Sequence, residues 1–168
     1  VQGFVDALKD KQQLTDEEVL TYLNQRAEQL NAARTVVAEK QMAETKKASA
    51  AYLAENQKKS GVKVTASGLQ YEVLTQGKGH KPNPEDVVTV EYVGTLIDGT
   101  EFENTVGRKE PTRFALMSVI PAWEEGLKLM PVGSKYRFVV PASLAYGTEA
   151  VGIIPPESAL IFEIKLKN

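Results

Sequence analysis

The sequence predicts an α+β protein: a mostly antiparallel sheet curled over one short helix, preceded by a long helical stalk and a helical segment at the N-terminus. Three observations predict it. No glycine or proline occurs between Gly3 and Gly61. After Gly68 the hydrophobic periodicity changes from helical to two. The only tryptophan, Trp123, follows Pro121 in a stretch too short to bury so large a side chain unaided.

The N-terminal elements come first. Val1, Phe4, Val5 and Leu8 fall at helical spacing, so residues 1–10 read as an amphipathic helix. The pattern is that of a helix begun upstream of Val1, in a mature or trimmed fragment whose missing leader says nothing about location. Leu14-Thr15-Asp16-Glu17-Glu18-Val19 is a helix start: Thr15 is the N-cap, Glu18 completes a capping box, and Leu14 and Val19 are placed as its hydrophobic staple. From there to Gly61 the chain can form about 45 residues of helix, roughly 68 Å long. Val19, Leu20, Leu23, Ala27, Leu30, Val36 and Val37 give its first half an apolar stripe. Between Glu39 and Lys47 the stripe is nearly lost among Glu and Lys, as on a solvated helix supported by local ion pairs. Tyr52 and Leu53 then approach the next domain. Residues 1–38 therefore read as a helical dimerisation segment and 39–67 as stalk and linker, with Gly61 as the helix C′ residue and Val62–Ser67 as linker. The domain itself spans 68–168.

Within that domain Leu69, Tyr71 and Val73 alternate with Gln70, Glu72 and Leu74, and Val88, Val90 and Tyr92 with Thr89, Glu91 and Val93. Asp98-Gly99 marks a hairpin turn, with Phe102 on the returning strand. A short strand over Arg113–Leu116 leads to the central helix. There Pro121 occupies the first helical position, Glu124 and Glu125 complement the dipole, and the helix ends near Met130. Tyr136, Phe138 and Val140 alternate, as do Leu160, Phe162, Ile164 and Leu166.

Composition excludes several classes of chemistry. The chain has 168 residues, enough for one core and an accessory segment, and a formal charge of −2 from 20 basic and 22 acidic residues. No basic cluster interleaved with aromatics suggests nucleic acid. There is no cysteine and a single histidine, His80, which removes thiolate chemistry and argues against histidine-based metal clusters and an ordinary catalytic triad. No apolar run reaches transmembrane length. Tyr92, Phe102, Phe114, Trp123, Tyr146 and Phe162 come from separate elements, and together they exceed what one short helix needs for its core. With Val119 and Ile120 as an apolar lip, Glu103 within reach of the Tyr92 hydroxyl across the hairpin, and Ala145-Tyr146-Gly147 opening a loop that closes on Gly152-Ile153-Ile154-Pro155-Pro156, they predict an apolar pocket with a few polar groups at its edge.

Residues 68–168 closely resemble the FK506-binding-protein (FKBP) family of peptidyl-prolyl isomerases. The matching stretches, in family order, are Val90-Glu91-Tyr92-Val93-Gly94, Asp98-Gly99-Thr100-Glu101-Phe102, Val119-Ile120-Pro121-Ala122-Trp123-Glu124-Glu125-Gly126, Leu144-Ala145-Tyr146-Gly147 and Gly152-Ile153-Ile154-Pro155-Pro156. The N-terminal arrangement is similar to the bacterial macrophage-infectivity-potentiator branch, in which a long helix joins a dimerising helical domain to the isomerase domain. The resemblance implies a rotamase without cofactor or metal, acting on proline-containing polypeptides and binding macrolides such as FK506 or rapamycin. Trp123 would be the platform under the proline ring, walled by Tyr92, Phe102, Val119, Ile120 and Phe162. The Ile120 N–H and the Tyr146 hydroxyl would bind carbonyl oxygens. Glu103 would act at the catalytic edge, and Phe114, Ile153 and Ile154 would contact substrate. Glu103 stands where the family usually has aspartate, Thr112 where many members have an aromatic, and Ala122 where most have glycine. The loop Thr148–Val151 is short and lacks the histidine of some members. These departures bear on turnover and inhibitor affinity rather than on fold. The resemblance also implies a homodimer in the periplasm or cell envelope, with a cytoplasmic location as the alternative. Two competing readings remain: a dimeric folding chaperone with weak or no isomerase activity, and a helical scaffold protein carrying a relic domain.

Overall fold

The computed structural model describes residues 15–110 and 112–168; the helix expected over residues 1–10 and the staple residue Leu14 lie outside them. The chain divides into two compact units, residues 1–41 and 42–168. Helix α1 (Asp16–Asn56) contributes to both. Its start is the capping box read from the sequence. The Thr15 N–H and hydroxyl both donate to Glu18 Oε2, at 2.7 and 2.8 Å, and the Glu18 N–H returns a bond to Thr15 Oγ1 at 3.3 Å. These donors favour the ionised carboxylate, so the Glu18 pKa lies below its ordinary value, the backbone N–H of Thr15 being the main cause. In the first unit Val19 is buried, whereas Leu20, Leu30, Val36 and Val37 are exposed.

In the second unit one face of α1 is covered. Met42, Thr45, Ser49, Tyr52, Leu53 and Asn56 are the partly or fully buried positions, and their spacing of three or four residues is that of a single helical face. The helix ends at Asn56, five positions before Gly61, which the sequence had placed as its C′ residue. Lys58 and Lys59 close short turns onto Glu55 and Asn56, and Gly61 (φ 88°) instead lies in the turn that follows. The expected linker is also corrected: Val62–Val64 forms strand β1, paired antiparallel with β2 (Gln70–Thr75). A turn closed by Thr65 N–H to Leu69 O joins them, and the Ser67 hydroxyl donates to the Glu125 carboxylate.

The remaining strands are β3 (Val87–Leu96), β4 (Glu101–Asn104), β5 (Thr112–Ala115), β6 (Lys135–Val140) and β7 (Leu160–Leu166). All pairings are antiparallel, and the order is β1-β2-β6-β7-β3-β4, with β5 also on β3. Thus β3, ten residues long, pairs along one edge with β7 and along the other with two short strands in turn. β5 takes Val87–Val90, and β4 takes Val93–Thr95. At the gap, Thr105 holds the Tyr92 backbone at both its groups, with Tyr92 N–H to Thr105 Oγ1 at 2.9 Å and Thr105 N–H to Tyr92 O at 2.9 Å. The β3–β4 turn at Asp98-Gly99 is tight, as expected, with Gly99 at φ 89°.

Helix α2 (Pro121–Leu129) carries Pro121 at its first position and lies on the concave face of the sheet. Its Trp123 and Leu127 join Val88, Val90, Tyr136, Phe138, Val140, Leu160, Phe162 and Ile164 in one core. The outer face is covered in one place. Gln70, Val139 and Ile161 stand side by side in register on β2, β6 and β7, and all three are buried. Asn56 Nδ2 donates to Gln70 Oε1 at 2.8 Å, and Gln70 Nε2 donates to Leu53 O at 2.9 Å. Gln70, expected on the polar face of its strand, is therefore roofed by α1.

At Gly126 α2 lies tight against the sheet. A Cβ there would meet the buried Phe138 ring at 2.6 Å. Gly126→Ala should cost about 1–3 kcal/mol through overpacking, offset by at most ~1 kcal/mol from the better helix propensity of alanine. Urea unfolding measures the balance, and a midpoint equal to or above that of the parent would show that the Phe138 ring gives way freely.

Candidate active site

Trp123 stands at the floor of a cavity of about 680 Å³ because Pro121 starts α2 where the chain turns under the sheet. The preceding 3₁₀ turn, Leu116–Ser118, brings Val119 and Ile120 to the cavity edge. Three rings meet the indole at right angles: Tyr92 at 4.6 Å, Phe114 at 5.2 Å and Phe162 at 5.4 Å between centroids. Phe102 stands perpendicular to Phe162 at 5.7 Å. Perpendicular contacts place the positive edge of one ring on the negative face of another, so the rings hold one another upright around an open centre. Gly94 allows this arrangement. A Cβ at that position would lie 2.6 Å from the Phe102 ring and 3.1 Å from Phe162.

Every residue expected at the site lines this cavity: Tyr92, Phe102, Glu103, Phe114, Val119, Ile120, Trp123, Tyr146, Ile153, Ile154 and Phe162. The structure adds Glu101, Ser118, Val151 and Gly152. Glu101 and Ser118 carry no sequence signal beyond proximity to the motif residues. Gly152 begins the stretch on which the loop was expected to close, and Val151, just before it, reaches the wall only through that closure. Thr105, which fixes the Tyr92 backbone from behind, was likewise missed. A lone threonine in a polar loop carries no such mark.

The polar atoms of the cavity are few. One expected contact is corrected: Glu103 does not bond the Tyr92 hydroxyl. Its Oε1 pairs with Arg108 Nη2 and accepts the Asn104 N–H at 3.1 Å, because Glu103 sits opposite Gly94 rather than Tyr92 in the β3–β4 register. Its charge still acts on Tyr92. Burial first, then the Glu103 carboxylate and Tyr146, push the Tyr92 pKa above the ordinary phenol value, with Arg108 opposing. The Tyr92 phenol is thus neutral throughout the physiological range. The Trp123 indole N–H is buried without a partner. Among the described residues, the Ile120 N–H and the Tyr146 hydroxyl also make no hydrogen bond within the chain. The site is an apolar well with unspent donors at its floor and rim. It can hold a small apolar ring and engage carbonyl oxygens beside it, and it offers no nucleophile aligned with a base.

The arrangement matches known proteins. Residues 78–167 match the FKBP-type peptidyl-prolyl cis-trans isomerase family, and residues 1–73 match the domain amino-terminal to FKBP-type peptidyl-prolyl isomerases. The FKBP-type peptidyl-prolyl cis-trans isomerase FkpA of Aeromonas hydrophila is 46% identical over 166 residues, which cover 99% of this chain and 62% of the relative. The outer membrane protein MIP of Legionella longbeachae is 45% identical over 154 residues, covering 91% of this chain and 66% of the relative. This chain thus spans under two thirds of the length of either relative. The crystal structure of FkpA from Escherichia coli superposes with a TM-score of 0.88 at 40% identity, covering 99% of this chain and 78% of that one. The isomerase family model covers more than half of the chain and the relatives are 45–46% identical, so the chain belongs to the FKBP-type peptidyl-prolyl cis-trans isomerase family.

Proposed function

We propose that this chain accelerates cis–trans rotation about X–Pro bonds in proteins that are folding, through its apolar cavity and without a covalent intermediate. The observation that carries the reading is the aromatic-walled well around Trp123 with unpaired donors at its floor and rim. Rotation about an amide faces a barrier of roughly 18–20 kcal/mol, because twisting removes resonance. At X–Pro the two isomers differ little in energy, so the barrier alone makes interconversion slow. A catalyst needs only to hold the twisted amide better than the planar one. As the amide twists, its carbonyl loses polarity and its nitrogen becomes pyramidal, and a water-poor cavity suits that state better than solvent does.

In this reading the proline ring rests on Trp123, between Tyr92, Phe102 and Phe162, and Val119, Ile120, Phe114, Ile153 and Ile154 close around the flanking residues. The Ile120 N–H and the Tyr146 hydroxyl hold carbonyl oxygens on either side of the rotating bond. Glu103 keeps the Arg108 side chain at the rim. The same contacts would accept macrolides such as FK506 or rapamycin. Residues 1–38 are the pairing segment of a homodimer, supported by the exposed Leu20, Leu30, Val36 and Val37 on α1. Residues 68–168 carry the isomerase pocket, and 39–67 join the two, with β1 and the last turns of α1 serving the sheet. The location is the periplasm or cell envelope. The MIP relative is named an outer membrane protein, and no helix among the described residues is long and apolar enough to cross a membrane.

A proline-peptide assay tests the activity. The chain should catalyse the exchange and be blocked by a macrolide that also changes Trp123 fluorescence; an inactive folded chain would overturn the reading. Trp123→Leu keeps an apolar floor without its flat ring, and kcat/KM should fall about tenfold or more, the equivalent of ~1.4 kcal/mol. Full activity in that folded variant would remove the platform role.

Tyr146→Phe deletes one hydroxyl and no apolar volume. Macrolide binding should weaken by about 0.5–1.5 kcal/mol, the net worth of one neutral hydrogen bond, as read by titration calorimetry. Unchanged affinity would show that Tyr146 only packs.

Sedimentation tests the assembly. The chain should run as a dimer, and the double variant Val36→Lys, Val37→Lys as a monomer with peptide activity retained. A monomeric parent would remove the pairing role of α1.

A further inference from the structure

The hydroxyl of Ser49 behaves unlike the other helical hydroxyls whose bonds are resolved on α1. Thr21 and Thr35 donate back to the carbonyls of Glu17 and Asn31, four residues earlier, at 2.8 and 3.0 Å, the usual outlet for a mid-helix hydroxyl. Ser49, only 5% exposed, points out of its helix. Its Oγ donates to Glu157 O at 2.9 Å and accepts the Ala159 N–H at 2.9 Å. Both bonds span more than 100 positions of sequence.

The segment it grips is the base of the pocket loop. Glu157 has φ 59°, the one positive φ at a non-glycine among the described residues, a conformation that persists only where surrounding contacts over-determine it. Its N–H donates to Gly147 O at 2.8 Å, which closes the loop directly behind Tyr146. Within the loop, Val151 and Ile154 exchange two backbone bonds at 3.1 and 2.9 Å, and Val151 to Ile154 form one wall of the cavity. The Ser158 hydroxyl closes the last turn onto Pro155 O at 2.7 Å.

We propose that Ser49 is a positioning residue for the pocket: by bridging Glu157 and Ala159 it holds the left-handed turn that closes the loop, and so sets Tyr146 and the Val151–Ile154 wall against the aromatic floor. The proposal rests on the isomerase reading for its consequence, but its structural content stands apart from it. Ser49 does not touch the cavity and acts only through the loop. The side chain that shapes the substrate wall thus belongs to the long helix, outside the sheet.

The matched control is Asn56, the other buried polar side chain of α1 among the described residues, which bonds Gln70 on β2 rather than the loop. Ser49→Ala and Asn56→Ala are compared in the full chain, with unfolding midpoints measured for both. Ser49→Ala should raise KM for a proline peptide and weaken macrolide binding about three- to tenfold, with kcat changed less, and should speed amide exchange at Val151, Ile154 and Glu157. Asn56→Ala should lower stability without moving KM or those amides. Ser49→Thr, which keeps both bonds, should restore KM. Should Ser49→Ala fail to fold, Ser49→Cys, a poorer donor and acceptor, supplies the same comparison.

Unchanged exchange at the three amides in the Ser49 variant would overturn the proposal whatever the activity, and so would equal KM shifts in the Ser49 and Asn56 variants. A parent chain inactive on peptides would instead overturn the isomerase reading and leave the exchange comparison to decide the clamp.

Discussion

The structure depends on burying one indole that its own helix cannot bury. Helix α2 has nine residues, little more than two turns, and presents Trp123 from near its start. An aromatic side chain of this size brings about 150–250 Å² of surface, which at ~25 cal/mol per Å² is roughly 4–6 kcal/mol if covered. The sheet supplies the cover by curling, so that residues from β3, β5 and β7 reach the ring from different sides. Only 6% of Trp123 remains exposed, yet the coverage comes from ring edges and faces set perpendicular to it. Upright rings leave a gap between them, and that gap is the mouth of the cavity. The same packing that stabilises the domain therefore leaves an apolar hollow beside the indole.

The polar groups follow from this geometry. Helix α2 begins at the cavity, so the residue before its first turn has a backbone N–H with no partner within the chain. Ile120 occupies that place, its carbonyl already accepting from Trp123 and Glu124. A helix N-terminus aimed into an apolar well gives a donor free to meet a carbonyl oxygen of a bound chain. The Trp123 N–H adds a second unpaired donor, at a cost to folding of about 1–3 kcal/mol if nothing meets it. Orphaned donors in a buried site are tolerated where a ligand supplies the acceptor.

Much of this was legible in the sequence, and the reasons differ by residue. Pro121, the Asp98-Gly99 turn and the capping box at Thr15 and Glu18 are local signals, in which a residue type alone dictates the backbone. The alternation of Tyr136, Phe138 and Val140 revealed which face is inner. The aromatic set could be collected because nothing else in the domain needs so many rings. What could not be read was long-range and polar. Strand β1 is three residues long, with Lys63 and Val64 exposed, and carries no alternation to find. Gln70, Asn56 and Ser49 are residue types usually met in water, and their burial follows from α1 lying across β2 and the base of the loop before β7, which local sequence does not reveal. Glu103 reads as a partner for Tyr92 until the register of β4 sets it opposite Gly94, where Arg108 reaches it first.

Those three polar residues also explain why the helix can instruct the pocket. An apolar contact between α1 and the sheet would stabilise many alignments almost equally, since dispersion and burial are not directional. Ser49 and Asn56 lie seven positions apart, two turns or about 10 Å along the helix, and each meets a partner at fixed geometry. A slip of one turn would leave the Ala159 N–H and the Gln70 amide buried without partners, each at about 1–3 kcal/mol, and would strip the half-buried Glu157 O of its donor. That sum is a large part of the stability of a typical domain, so one register is strongly favoured. Because one of the two contacts falls at the base of the loop that walls the cavity, the register of the helix and the position of that wall are a single constraint.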